Sequence, residues 1–149
     1  MINSLNSFYI RMEKIKKAYY YFFYKIYKSI IYTSDKVGGE FWSDFKAGIA
    51  LLALELWFFG TILNYYAIII NTKFTTTTIF IILLIPLVFL SILHYFAFIH
   101  TDIWKEYSKQ FDKLSEEKNK KGTIIVCIIA VFIASNFLGS IFLLQKFIF

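Results

Sequence analysis

Cysteine occurs once in this sequence, proline once and histidine twice. The single cysteine, Cys127, sits inside an apolar run, which excludes a disulfide framework and any multi-cysteine metal site. His94 and His100 are six residues apart. On a helix that spacing turns one away from the other by about 120°, so they make a poor metal pair. Also missing are a glycine-rich phosphate loop, an HExxH or GxSxG motif, and two carboxylates placed for hydrolysis. An enzyme is therefore not expected, and no cofactor or metal is implied.

What is abundant is apolar surface. Hydrophobic residues make up 58% of the 149 residues, against about 45–50% in a soluble domain. The excess is concentrated in three runs, 47–70, 79–100 and 123–144. Each is about the 20 residues needed to cross the hydrocarbon core as a helix. The reading is an all-α membrane protein, a single membrane domain over 1–149, with the lipid bilayer as its first partner. The net charge of +6 is distributed by topology rather than gathered in a patch, which argues against a nucleic-acid partner.

Before the first run, residues 8–31 have helical periodicity with two unlike faces. Arg11, Lys14, Lys17, Tyr21, Lys25 and Lys28 share one face. Ile15, Tyr19, Phe22, Ile26 and Ile30 share another. Such a helix suits the membrane interface, with its cations near lipid phosphates. The alternative is that the aromatic-aliphatic face packs on another part of the protein or on a neighbouring subunit. Gly38-Gly39 is expected to turn the chain into the membrane. Ser43 or Asp44 is placed to cap the first span, with Trp42 in the headgroup zone. In the second span, Pro86 withholds a donor from the carbonyl of Ile82 and predicts a kink.

Lys and Arg counts orient the spans. Eight lie in 1–46, one in the link 71–78, six in the link 101–122 and one in the tail. With three spans, fourteen fall on one side and two on the other. The positive-inside rule then places the N-terminus in the cytoplasm and the C-terminus outside, and the expected location is the inner (cytoplasmic) membrane. Within the second link, Ile103, Trp104, Tyr107, Phe111 and Leu114 share a face, which predicts an amphipathic helix over 102–117. Standing upright, that helix would rise about 24 Å. The residues left after it reach back only about 18 Å. It must therefore bend over towards the interface or be shorter than the pattern suggests, and no projecting soluble domain fits.

Few polar groups remain inside the spans. Glu55 lies about 12 Å into span one, where a charge costs several kcal/mol and is expected to face a helix interface or a wet cavity. His94 on span two lies within about one helical turn of the same depth. Ser91, one turn deeper on the same face, is a further candidate partner. Two readings follow: a proton- or cation-handling site, or a hydrogen bond that fixes the packing of spans one and two. Asn64 and Asn136 lie at similar depths on spans one and three, and either can bond across helices. Ser135-xxx-Gly139 and Asn136-xxx-Ser140 set small residues four apart on span three, which permits close helix approach within the chain or between chains.

A lone acid in the first span resembles the small multidrug-resistance transporters, a likeness resting on Glu55 alone, since they have four spans. Three short spans are similar to holins, without the long basic N-terminal helix. The stretches YYYFFYKIYKSI and GGEFWSDFKAGIALLALELW, within 19–57, resemble small bacterial multi-spanning membrane proteins, a likeness that brings no function with it. The expected function is a non-catalytic membrane subunit that associates with itself or with a membrane protein partner. The alternative is an oligomeric channel, pore-forming effector or proton-coupled carrier using Glu55 and His94.

Overall fold

The structure, a computed structural model, describes the backbone of residues 2–34 and 42–148, with side chains except those of 2–5, 76 and 148. The Gly38-Gly39 turn lies outside the described residues. Every described element is helical: α1 (Ile2–Ser34), α2 (Ser43–Ile69), α3 (Thr76–His94) with a π-helical extension (Tyr95–Ile99), α4 (Ile103–Asp112) and α5 (Glu116–Ile148). Three helices are long and apolar enough to cross a membrane: Ser43–Ile69, Thr77–Ile99 and Glu116–Phe147. Only 6% of the most apolar window of the second is buried. A surface this apolar and this uncovered calls for lipid rather than water as its solvent.

The helix ends follow local chemistry. α2 stops where Asn71 adopts a left-handed conformation, φ 48°. The amides of Asn71 and Thr72 donate to the carbonyls of Ile68 and Ala67, at 3.2 and 3.1 Å. That double bond pattern is a Schellman C-cap, with Asn in the place glycine usually takes. α3 starts from an extended Thr75 whose hydroxyl accepts the Thr78 N–H, an N-cap drawn from the threonine run. The helix runs on through Pro86. At its far end the His100 amide bonds back five residues to the Tyr95 carbonyl, at 2.8 Å, which sets the π-helical turn.

Two boundaries differ from the sequence reading in ways that matter. α2 begins at Ser43, so Trp42, with φ 59° and no side-chain cap bond, holds the cap position expected of Ser43 or Asp44. The helix predicted over 102–117 is divided: α4 ends at Asp112, and Glu116 already belongs to α5. The Asn119 amide donates to the carbonyls of Phe111 and Leu114, both at 3.3 Å, and so satisfies acceptors left by the end of α4. Glu116 and Glu117 occupy the first turn of α5, where the helix dipole favours acids. They pair with Lys120 and Lys121 at 2.8 and 2.7 Å. Good helix formers outside the apolar window thus extend α5 to 33 residues. The shorter α4 resolves the reach problem posed by the link.

The core lies at one end of the spans rather than between them. Tyr20, Phe23 and Tyr24 of α1 are buried with Ala47 and Leu51 of α2 and with Trp104 and Phe111 of α4. Phe23 stacks on Phe98 at 4.1 Å and meets Trp104 edge-on at 5.2 Å. Tyr20 stacks on Tyr107 at 4.9 Å. Each such aromatic pair adds about 0.5–1.5 kcal/mol beyond its area. Over Tyr20–Tyr24 the aromatic face of α1 is therefore covered by protein. Residues 6–18 are exposed.

Among the spans, α2 is central and its main seam is with α5. A Cβ on Gly60 would stand 2.8 Å from the Phe137 ring. Phe137 also stacks on Trp57 at 5.7 Å. The absence of a side chain at Gly60 is what lets that ring reach the α2 backbone.

Candidate functional site

Three helices converge where Glu55 leaves α2. The Tyr19 hydroxyl on α1 donates to Glu55 Oε1 at 2.9 Å. His94 Nε2, at the end of α3, meets Glu55 Oε2 at 2.8 Å. The Tyr19 oxygen is also 3.1 Å from His94 Nε2. Both carboxyl oxygens are thereby engaged, one by each neighbouring helix. The side chains of His94 and Glu55 are only 11% and 19% exposed, so the knot is shielded from its surroundings and its bonds are strengthened by the low local dielectric.

Each member reaches this point for a local reason. Tyr19 precedes the buried Tyr20 and Phe23 and turns with them onto α2 and the π-helical turn, with its ring 5.8 Å from Phe98. His94 is the last residue of α3 before the helix widens, and its ring lies against Phe98 at 5.3 Å. Burial, and then the neighbouring Glu55, push the Tyr19 phenol above its ordinary value, so it remains a neutral hydrogen-bond donor at any physiological pH. Nothing in the sequence marks Tyr19 as a polar partner. It is one of three consecutive tyrosines, and periodicity alone does not distinguish their roles.

Ser91 is exposed and, among the described residues, no hydrogen bond joins it to Glu55 or His94. It lines a cavity of about 280 Å³ beside His94, together with Asp44, Phe45, Phe98 and Trp104. Asn64 and Asn136 do not pair with each other. Asn64 donates to the fully buried Ser140 hydroxyl at 2.9 Å, and Ser140 donates to the Phe137 carbonyl at 2.8 Å. Asn136 turns back onto its own helix, donating to the Phe132 carbonyl at 2.9 Å. Ser135 and Gly139 are exposed, and a Cβ on Gly139 would meet nothing within 4 Å. The close-packed α2–α5 seam is made through Gly60 and through Ser140 of the second small-residue motif, not through Ser135 and Gly139. No group of three or more potential metal ligands occurs among the described residues.

A second polar cluster, unforeseen from the sequence, ties α1 to the α4–α5 turn. Asp112 accepts from Tyr24 at 2.7 Å and pairs with Lys28 at 2.9 Å. Lys25 donates to the Asn119 carbonyl and side chain at 3.0 and 2.9 Å. Burial by itself raises the Asp112 carboxyl, but the Lys28 ammonium and the Tyr24 hydroxyl outweigh it and hold the group below its ordinary value. Burial and the bond to Asp112 push the Tyr24 phenol up. The arrangement is a clasp between elements far apart in sequence.

No known family model, no curated protein and no solved structure matches this chain.

Proposed function

We propose that the chain is a non-catalytic, multi-pass membrane subunit that acts by association, and that the Tyr19–Glu55–His94 knot fastens α1 to the spans. The observation that carries this reading is the engagement of both Glu55 oxygens by internal partners. An ion path needs a carboxyl that can exchange partners with water or a cation. Here the carboxyl is held by a phenol on one side and an imidazole on the other. In the same way Asn64 is taken up by Ser140 inside the chain.

The orientation follows from charge. With three spans, the N-terminal region and the α4 link share the side that holds fourteen of the sixteen Lys and Arg, and this is the cytoplasmic face of the inner membrane. α1 and α4 lie at that surface as interfacial helices. The exposed residues 6–18 offer Arg11, Lys14 and Lys17 to lipid phosphates, and Phe8, Met12 and Ile15, each about half exposed or more, to the acyl boundary. Association uses the outward face of α5 at Ser135 and Gly139, where small residues permit close approach by another helix.

The test is the assembly state in mild detergent. Native mass spectrometry is expected to find a complex with a second copy or a copurifying membrane protein, and Gly139→Leu is expected to disperse it. A strictly monomeric wild-type chain with no partner would refute the association. The carrier reading is favoured by one specific feature, the cavity of about 280 Å³ against His94. It requires ion flux in proteoliposomes that Glu55→Gln abolishes.

A further inference from the structure

The three spans do not close into a bundle. α3 packs on α2, α5 packs on α2, and no comparable seam joins α3 to α5. Between them lies a groove of about 530 Å³, floored by α2 from Leu56 to Ala67 and walled by α3 and α5. Among the described residues its lining is aliphatic and aromatic except for Asn64, already bonded to Ser140, and the end formed by Thr72 and Lys73.

Length and charge identify the occupant. From Leu56 to Ala67 the floor runs about 17 Å along the helix. One leaflet of hydrocarbon is about 15 Å deep, half of the ~30 Å core. The groove thus runs from the bilayer middle to the surface on the side of the α2–α3 link, and its apolar trough ends at a cation. A helix from a partner would run on through the other leaflet, where this groove does not extend. A lipid acyl chain stops at the midplane, as the groove does, and the headgroup of that lipid would lie beside Lys73. We infer that the α2–α3–α5 groove is a binding site for one anionic phospholipid, its acyl chain between α3 and α5 and its phosphate at Lys73. The site is separate from the association face: Gly139 lies about 160° round α5 from both groove-lining residues Phe137 and Ile141, and Ser135 lies about 160° from Phe137 and about 120° from Ile141.

The test is native mass spectrometry of the protein released from nanodiscs of equal phosphatidylglycerol and phosphatidylethanolamine. The wild type is expected to retain one phosphatidylglycerol in preference to phosphatidylethanolamine. Lys73→Gln is expected to reduce that preference about fivefold, the worth of one lysine beside an anionic surface. Leu83→Trp, which places a large ring on the exposed α3 wall, is expected to lower retention of either lipid. Lys73→Gln changes only a residue of the link, so its result stands even if the tryptophan disturbs the helices. Equal retention of the two headgroups by the wild type would overturn the inference. So would an unchanged preference in Lys73→Gln, or a dimer that carries no lipid and masks Leu83 from solvent labels.

Discussion

Tyr19→Phe removes one oxygen atom and leaves the packing of the ring, so it isolates what the knot contributes to holding α1. The hydroxyl that would be lost donates to Glu55 at 2.9 Å and lies 3.1 Å from His94. Intramembrane hydrogen bonds average about 0.6 kcal/mol and reach about 1.7. Leaving a buried acceptor unmet costs about 1–3 kcal/mol. Because Glu55 keeps its bond to His94, the expected loss is about 1.5 kcal/mol, close to tenfold in the population of detached α1. Hydrogen–deuterium exchange reads that population directly. Amides in 19–34 are expected to lose about tenfold in protection, while those of α5 stay unchanged. Glu55→Gln in the Tyr19→Phe background is expected to add little, because the two changes weaken one shared contact. If protection over 19–34 is unchanged, or falls equally in α1 and α5, the knot does not fasten α1 and the reasoning fails.

Gly60→Leu drives a side chain into Phe137 and is expected to destabilise the α2–α5 seam by about 1–3 kcal/mol, read as a lower midpoint in detergent-based unfolding. Phe137→Ala in the same chain should recover part of the loss. Ser140→Ala removes the acceptor of Asn64 and is expected to cost about 0.6 kcal/mol in that assay. Asn71→Val places a branched side chain at φ 48° and is expected to cost about 1–2 kcal/mol, whereas Asn71→Gly should be nearly neutral. The clasp at Asp112 depends on pH. A carboxyl held below its ordinary value adds stability at neutral pH and loses it as the pH falls through the usual carboxylate range. Protection over 24–34, corrected for intrinsic exchange, is thus expected to drop on acidification in the wild type. It should be low and less pH-dependent in Asp112→Asn.

The spans were legible because twenty apolar residues in a row have few other fates, and a carboxyl among them draws attention by its cost. Depth brings Glu55 to within a turn of His94 on paper, and the two side chains are 2.8 Å apart. Depth does not single out Tyr19 from Tyr20 and Tyr21, which follow it and are chemically identical, nor Asp112 and Asn119, which look like ordinary polar residues of a link. Similar depth also offers Asn64 and Asn136 alike as groups to bond across helices, and among the described residues only Asn64 of the two does so. The true partner, Ser140, lies one turn farther along α5, and a donor whose own Phe132 carbonyl is within reach has no need to cross to another helix. The start of α5 was obscured because charge marks the end of hydrocarbon, not the end of a helix.

The central claim, association through the outward face of α5, is tested most directly by cross-linking in the membrane. With Cys127 replaced by serine, a single cysteine is introduced at Gly139 or, as a control on the groove face, at Ile141. The account predicts a cross-linked adduct for Gly139→Cys, to a second copy or to a partner, and little for Ile141→Cys. No adduct at either position, or equal adducts at both, would contradict it.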